Sequence, residues 1–411
     1  ETVKKDDRFK LCSIEDYRDL IGEEKVNEIR DKARPLKNLF VSHCNSTFYG
    51  GGVAEILTPL TILMNTSGIK TEWRVIQGTP DFFSITKKFH NALQGEDINL
   101  TDLKKDIFEW ILRENSLRNR ADHDFIIIHD PQPLPLINHY EKRQPWIWRC
   151  HVDLSRPNKE LLMYLDDFIN EYDAVILSLE EYRQDFKPPQ VFFRPGIDPL
   201  GTKNRDLSRA EIRDRLDHYN IPDDKPIIVQ ISRFDHAKDP EGVIEAFNEV
   251  RKNYDCRLIL LGNVATDDPE GDKIYQELLE NQDDNIRIMS VQDSALVNAL
   301  QRKASVVVQK SLKEGFGLTV TEAMWKGAAV VGGNVGGIKY QIDDGINGFL
   351  VSSVEEAAES IMKLLDDEAL RKRMGRKAKE KVRKNFLLSN CLENYLDLFN
   401  SFETIYRLNY N

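Results

Sequence analysis

The sequence predicts an α/β protein built from two doubly wound, Rossmann-like domains that face each other across a deep cleft. Three observations carry this expectation. Short runs rich in Val, Ile and Phe alternate with longer amphipathic stretches almost throughout, which is the pattern of repeated βα units on a parallel sheet. Runs such as Phe125–His129 and Leu258–Leu261 are apolar on successive residues, as strands buried on both faces require. At 411 residues the chain is long enough for two domains, each with its own core.

In the first half the candidate strands are Asn38–Cys44, Glu72–Gln77, Phe125–His129, Trp146–His151, Ala174–Leu179 and Val191–Arg194. In the second they are Pro226–Ser232, Arg257–Gly262, Asn285–Met289, Ser305–Gln309 and Ala328–Gly332. Between the halves, Pro195-Gly196-Ile197-Asp198-Pro199-Leu200-Gly201 holds two prolines and two glycines, the composition of a linker. A new helix follows, opened by a capping box of Ser208 and Glu211, and a later one begins at Ser353 with Glu356 in the matching place. The boundary is therefore placed near residue 200, with residues 1–200 and 201–386 as the two domains. The last segment, 387–411, carries Leu392, Tyr395, Leu396, Leu398, Phe399 and Phe402 at helical spacing and is expected to pack back on the first domain.

Composition narrows the class of function. Lys and Arg number 57 against 68 Asp and Glu, a net charge of -11 that argues against general nucleic-acid or anionic-membrane binding. No apolar run approaches the length of a membrane span, and the opening residues lack the apolar core of a signal peptide. Five scattered cysteines with no C-x-x-C pair suit reduced, mostly buried thiols, so a cytoplasmic protein is expected.

In doubly wound sheets the ligand crevice lies outside the carboxyl ends of the strands. The strongest motif falls there. Lys313-Glu314-Gly315-Phe316-Gly317-Leu318-Thr319 follows a strand and leads into an apolar helix that carries Glu322. Gly317 allows close backbone approach, the amides of Leu318 and Thr319 at the helix start suit a phosphate, and the two carboxylates suit sugar and ribose hydroxyls. A second strand end supplies Arg233 and Lys238, two cations on one loop of an acidic protein, suited to a diphosphate. In the first half, Tyr49-Gly50-Gly51-Gly52-Val53-Ala54-Glu55 opens a helix but departs from G-x-G-x-x-G, and no acidic residue ends the second strand, so a nicotinamide cofactor fits poorly. His129-Asp130 and His151-Val152-Asp153 close two further strands on the same side. A histidine there has two readings, a structural hydrogen-bonder or a contributor to a sugar pocket. Asp122-His123-Asp124 mimics a metal-binding D-x-D, but it precedes its strand, at the end away from the cleft. Metalloprotease, EF-hand, Walker A and hydrolase-elbow motifs are missing.

Glu314 and Glu322 with their intervening glycines resemble the paired-glutamate signature of retaining, nucleotide-sugar-dependent glycosyltransferases of the GT-B fold, family 4. Gly327, Gly336-Gly337 and Asp344-Gly345-Ile346-Asn347-Gly348 fit the same pattern, as do Pro195–Asp198, Arg233 and Lys238. In the first half, Ser46–Glu55, Phe89–Gly95 and Trp148–Ser155 look like the glycosyltransferring trehalose synthases. One departure is Ala328-Ala329-Val330, where the family usually has a proline before the strand. The resemblance implies transfer of glucose from a nucleoside diphosphate glucose to free glucose, giving α,α-trehalose. Carried over, it puts Glu314, His151, Arg233 and Lys238 in the catalytic group. Glu322, Gly317, Leu318, Thr319, Gly51, Gly52 and Asn263 would hold the donor, and Asp130, His129 and Asp153 the acceptor. It implies small-molecule partners only, no tightly bound cofactor, and a homodimer left open; magnesium could assist the diphosphate, though no ligand motif for it is visible. Three alternatives stand beside this reading: a sibling transferase with another acceptor, a non-catalytic sugar-nucleotide sensor, and a phosphorylase-like enzyme with lysine-bound pyridoxal phosphate.

Overall fold

The structure, a computed structural model, describes residues 11–48, 51–262 and 271–410, with side chains through residue 404. Two six-stranded parallel sheets organise the chain. The first contains β1 (Phe40–Asn45), β2 (Lys70–Val75), β3 (Phe125–His129), β4 (Trp146–Arg149), β5 (Ala174–Leu177) and β6 (Gln190–Phe192) in the order β2-β1-β3-β4-β5-β6. The second contains β7 (Ile227–Ile231), β8 (Arg257–Gly262), β9 (Ile286–Ser290), β10 (Val306–Gln309), β11 (Val330–Gly333) and β12 (Phe349–Val351) in the order β12-β11-β10-β7-β8-β9. All eleven expected strands are present. The twelfth, β12, is a three-residue edge strand, too short to show a hydrophobic period.

Continuous apolar strands are explained by burial on both sides. In β3, Ile126 and Ile128 enter one core and Phe125 and Ile127 another, and the five residues are all buried. β7 divides in the same way between two cores of the second sheet. Five helices matter below: α1 (Gly52–Thr66), α2 (Pro80–Leu93), α3 (Leu318–Trp325), α4 (Glu368–Asn385) and α5 (Leu388–Tyr410). The apolar face of α5, including Leu392, Tyr395 and Phe399, packs into the core formed by α1 and β1 of the first sheet. Between the sheets the chain runs twice through one point. Ile197 donates to Phe386 O at 2.9 Å and accepts from Leu388 N at 2.8 Å, a single parallel bridge between the two connections.

The capping box at Ser208 and Glu211 forms in full. At Ser353 half of it forms: the Ser353 hydroxyl accepts from Glu356 N at 3.1 Å, but the Glu356 carboxylate takes the amide of Ser352 instead. The D-x-D mimic is structural. Asp124 accepts from Phe40 N at 2.7 Å, and His123 Nε2 pairs with Glu72 at 2.7 Å. Among the described residues no helix is long and apolar enough to cross a membrane.

Helices α3 and α4 cross where neither has a side chain to spare. A Cβ on Gly375 would stand 1.9 Å from the carbonyl oxygen of Gly327, a residue itself at φ 75°. Gly375→Ala is expected to destabilise the protein by about 1–3 kcal/mol, the usual cost of overpacking a tight core. Urea unfolding reads this directly, and an unchanged midpoint would contradict the packing described.

Candidate active site

Both sheets reverse strand order next to the cleft, between β1 and β3 in the first and between β7 and β10 in the second. Such switch points leave a crevice where adjoining loops part in opposite directions. Here the two crevices merge into one cavity of about 830 Å³, within the usual range for a small-molecule site.

The second sheet forms the electropositive wall. After β7, Asp235 accepts from Ala237 N at 2.8 Å, folding the loop so that Arg233 and Lys238 both line the cavity. After β10, the loop bearing Glu314 meets them: Lys238 Nζ donates to Glu314 Oε2 at 2.7 Å, and Ser311 Oγ reaches the same oxygen at 3.3 Å. Gly317, at φ 86°, caps α3 and turns the amides of Leu318 and Thr319 into the cavity wall. Facing them are Gly51 and Gly52 at the start of α1; a Cβ on Gly52 would touch Leu318 Cδ1 at 3.4 Å. Glu322 does not line the cavity. It is buried beneath it, on the same face of α3 as Leu318, with Oε1 3.0 Å from Lys203 Nζ and Oε2 without a partner among the described residues.

The first sheet forms the other wall. Asp130 sits at φ 62°, a conformation uncommon for a residue with a side chain and characteristic of functional loops. Its Oδ1 accepts from His151 N at 2.7 Å, and its carbonyl accepts from Trp148 Nε1 at 3.0 Å. Burial raises its carboxyl to about 6, against the pull of the His151 amide and Arg149. His151 and His129 stack, joined Nε2 to Nδ1 at 3.0 Å, and His129 Nε2 continues to His43 Nδ1 at 2.9 Å. Burial, with the buried Arg149 guanidinium beside His129 and His151, lowers both imidazoles well below their usual range, so they are neutral hydrogen-bonding groups. The histidines therefore bond to each other and also line the cavity.

Of the residues singled out from sequence, Glu314, His151, Arg233, Lys238, Gly317, Leu318, Thr319, Gly51, Gly52, Asp130 and His129 converge on this cavity. Asp153 does not; its Oδ1 accepts from Ser155 N at 2.8 Å and shapes the turn. Asn263 lies outside the described residues. The walls meet at one rim, where Tyr182 Oη donates to Gly315 O at 2.6 Å and a Cβ on Gly315 would lie 2.4 Å from the carbonyl of His151.

Residues 43–184 match the family described as "Trehalose synthase, N-terminal domain", and residues 211–381 match "Glycosyl transferases group 1". The trehalose synthase of Pyrococcus horikoshii is 46% identical over 398 residues, covering 94% of this chain and 96% of its own length. The chain belongs to the trehalose synthase family. It is a glycosyltransferase. The trehalose synthase of Rubrobacter xylanophilus is 39% identical, covering 94% of this chain and 96% of its own. Sucrose-phosphate synthase from Thermosynechococcus elongatus superposes with a TM-score of 0.70 at 17% identity, over 90% of this chain and 100% of its own, which shows the GT-B fold.

This trehalose synthase family member also brings residues to the cavity that the strand-end argument misses. Helix α2 presents Lys87, His90, Asn91 and Gln94 to it, while Phe82, Phe89 and Ala92 lie in the core behind. Burial, reinforced by Lys87 and Arg233, lowers the His90 imidazole to about 3. Lys87 reaches across to Asp235 at 3.2 Å. A signal was present, since positions 87, 90, 91 and 94 form a polar stripe at helical period beside the apolar stripe of Phe82, Ile85, Phe89 and Ala92.

Proposed function

We propose that the enzyme transfers glucose from a nucleoside diphosphate glucose, carrying adenine or uracil, to free glucose, giving α,α-trehalose reversibly and with retention at the donor's anomeric carbon. The observation that carries this reading is the asymmetry of the cavity. Arg233, Lys238 and the α3 amides make one wall suited to a diphosphate, while neutral His129 and His151 with Asp130 make the other suited to sugar hydroxyls. In this reading the bond from the anomeric carbon to the phosphate oxygen breaks as the bond to the acceptor oxygen forms on the same face. The departing diphosphate takes the acceptor's proton, and Arg233 and Lys238 stabilise its growing charge. Glu314, already engaged by Lys238, accepts hydrogen bonds from the donor sugar rather than attacking it. His151 hydrogen-bonds the donor sugar, Asp130 accepts from the acceptor, and Glu322 takes the ribose. The free, mostly buried thiols suit a cytoplasmic enzyme.

The test is an NMR assay with glucose and a panel of nucleoside diphosphate glucoses. A single α-anomeric signal from a symmetric, non-reducing disaccharide is the expected product, and the best donor identifies the base. Donor hydrolysis without disaccharide would overturn the acceptor assignment. Binding without turnover would replace the enzyme reading with a sensor, and glucose 1-phosphate formed from trehalose and inorganic phosphate would make the reaction a phosphorolysis.

A further inference from the structure

To the lining of the cavity the connecting segment contributes a side chain that no motif marks. Lys203 lies in the turn after the bridge at Ile197, and its Nζ stands 2.8 Å from both carboxylate oxygens of Glu55 and 3.0 Å from Glu322 Oε1. These partners belong to elements of the two halves of the chain: Glu55, which lines the cavity, to the first turn of α1, and Glu322, buried beneath it, to α3. Burial works against the Lys203 charge, but the two carboxylates outweigh it and hold the ammonium above its ordinary value. The second buried cation, Lys326, does not compete for the carboxylate. Its Nζ is occupied by Asn204 Oδ1 at 2.8 Å, Gln301 Oε1 at 2.6 Å and the Glu322 carbonyl at 3.3 Å.

One oxygen of Glu322 is thus fixed and the other left bare. A buried carboxylate oxygen with no donor is costly, and it is retained where a ligand completes it. We infer that Lys203 is a positioning residue for the donor: it pins Glu322 Oε1 so that Oε2 faces the ribose hydroxyls, and through Glu55 it ties that contact to the first wall of the cleft. The inference rests on the donor-site reading above. It gives Lys203, a cavity-lining residue of the connecting segment, a part in selecting an intact ribose.

The experiment is titration calorimetry of the full chain with uridine and adenosine diphosphates and with their 2′,3′-dideoxy counterparts, on wild type, Lys203→Met, Lys203→Arg, Glu55→Gln and Glu322→Gln. Loss of one charge-assisted hydrogen bond corresponds to about tenfold or more in affinity. Lys203→Met is expected to weaken the intact diphosphate by about tenfold and the dideoxy compound by less than twofold, with Lys203→Arg recovering much of the difference. Glu55→Gln is half exposed, so it reports even if Lys203→Met fails to fold; it should weaken only the intact diphosphate, by roughly threefold. Equal losses for intact and dideoxy ligands in the Lys203 and Glu55 variants, with Glu322→Gln still discriminating, would overturn the inference and leave the donor site standing. Failure of Glu322→Gln to discriminate would overturn the donor-site reading and the inference with it.

Discussion

Alanine in place of Arg233 or of Lys238 is expected to lower kcat by about 10²–10³, the scale of losing one preorganised electrostatic group. The geometry explains why the effect falls on turnover. Both side chains extend from one loop after β7, held by the Asp235 carboxylate, and both reach the cavity where α3 presents its first amides. Charge on a departing diphosphate grows as the glycosidic bond breaks, so fixed cations there lower the barrier more than they improve ground-state binding. Lys238 has a second task. Its bond to Glu314 Oε2 holds that carboxylate in place, so with Glu314 on the donor sugar as proposed, Lys238→Ala should also raise the donor KM, whereas Arg233→Ala should act mainly on kcat. Steady-state kinetics separate the two effects. If both variants turned over at near-normal rates, the electropositive wall would have no part in the chemistry.

Asp130→Asn is expected to trade activity for stability. Burial holds the Asp130 carboxyl at about 6, roughly two pH units above an ordinary aspartate, so the folded protein binds this proton more tightly than the unfolded chain. A raised carboxyl works for folding only while protonated. Its ionisation therefore costs stability progressively from about pH 4 to pH 6, reaching roughly 3 kcal/mol above that window. Asparagine removes the charge, keeps an oxygen for the His151 amide and tolerates the positive φ. The variant should gain roughly 3 kcal/mol at pH 8 and nothing below pH 4. Meanwhile its KM for the acceptor rises, and the fall of wild-type kcat/KM below pH 6 disappears. Denaturant unfolding across that range gives the answer; a gain independent of pH would mean that relief of the buried charge is not the cause.

How much of this was legible in the chain follows from what kind of contact each part depends on. Strands buried on both faces announce themselves, and β3, β7 and β8 were readable because Val, Ile and Leu occupy successive positions. Residues at strand ends were readable too, because a parallel sheet sends all its carboxyl ends one way. The relay from His151 through His129 to His43 was not, since it depends on β1, β3 and β4 being neighbours, and strand order is not written locally. Lys203 was equally hidden. Its partners lie 148 residues before it and far along the second half, and only the path of the connecting segment brings them together.

The double passage of the chain at Ile197 and Leu387 has a mechanical consequence. A single tether lets two bodies swing and twist freely about it. Two tethers lying side by side and bonded to each other behave as a ribbon, compliant to bending in one plane and stiff to torsion. A Cβ on Gly196 would stand 2.4 Å from the Leu387 carbonyl, so the pair is pressed together with no slack. Were the two walls to part at such a joint, they would do so by bending in one plane. On closing, the residues of the two walls would then regain the same register without a search over relative orientations.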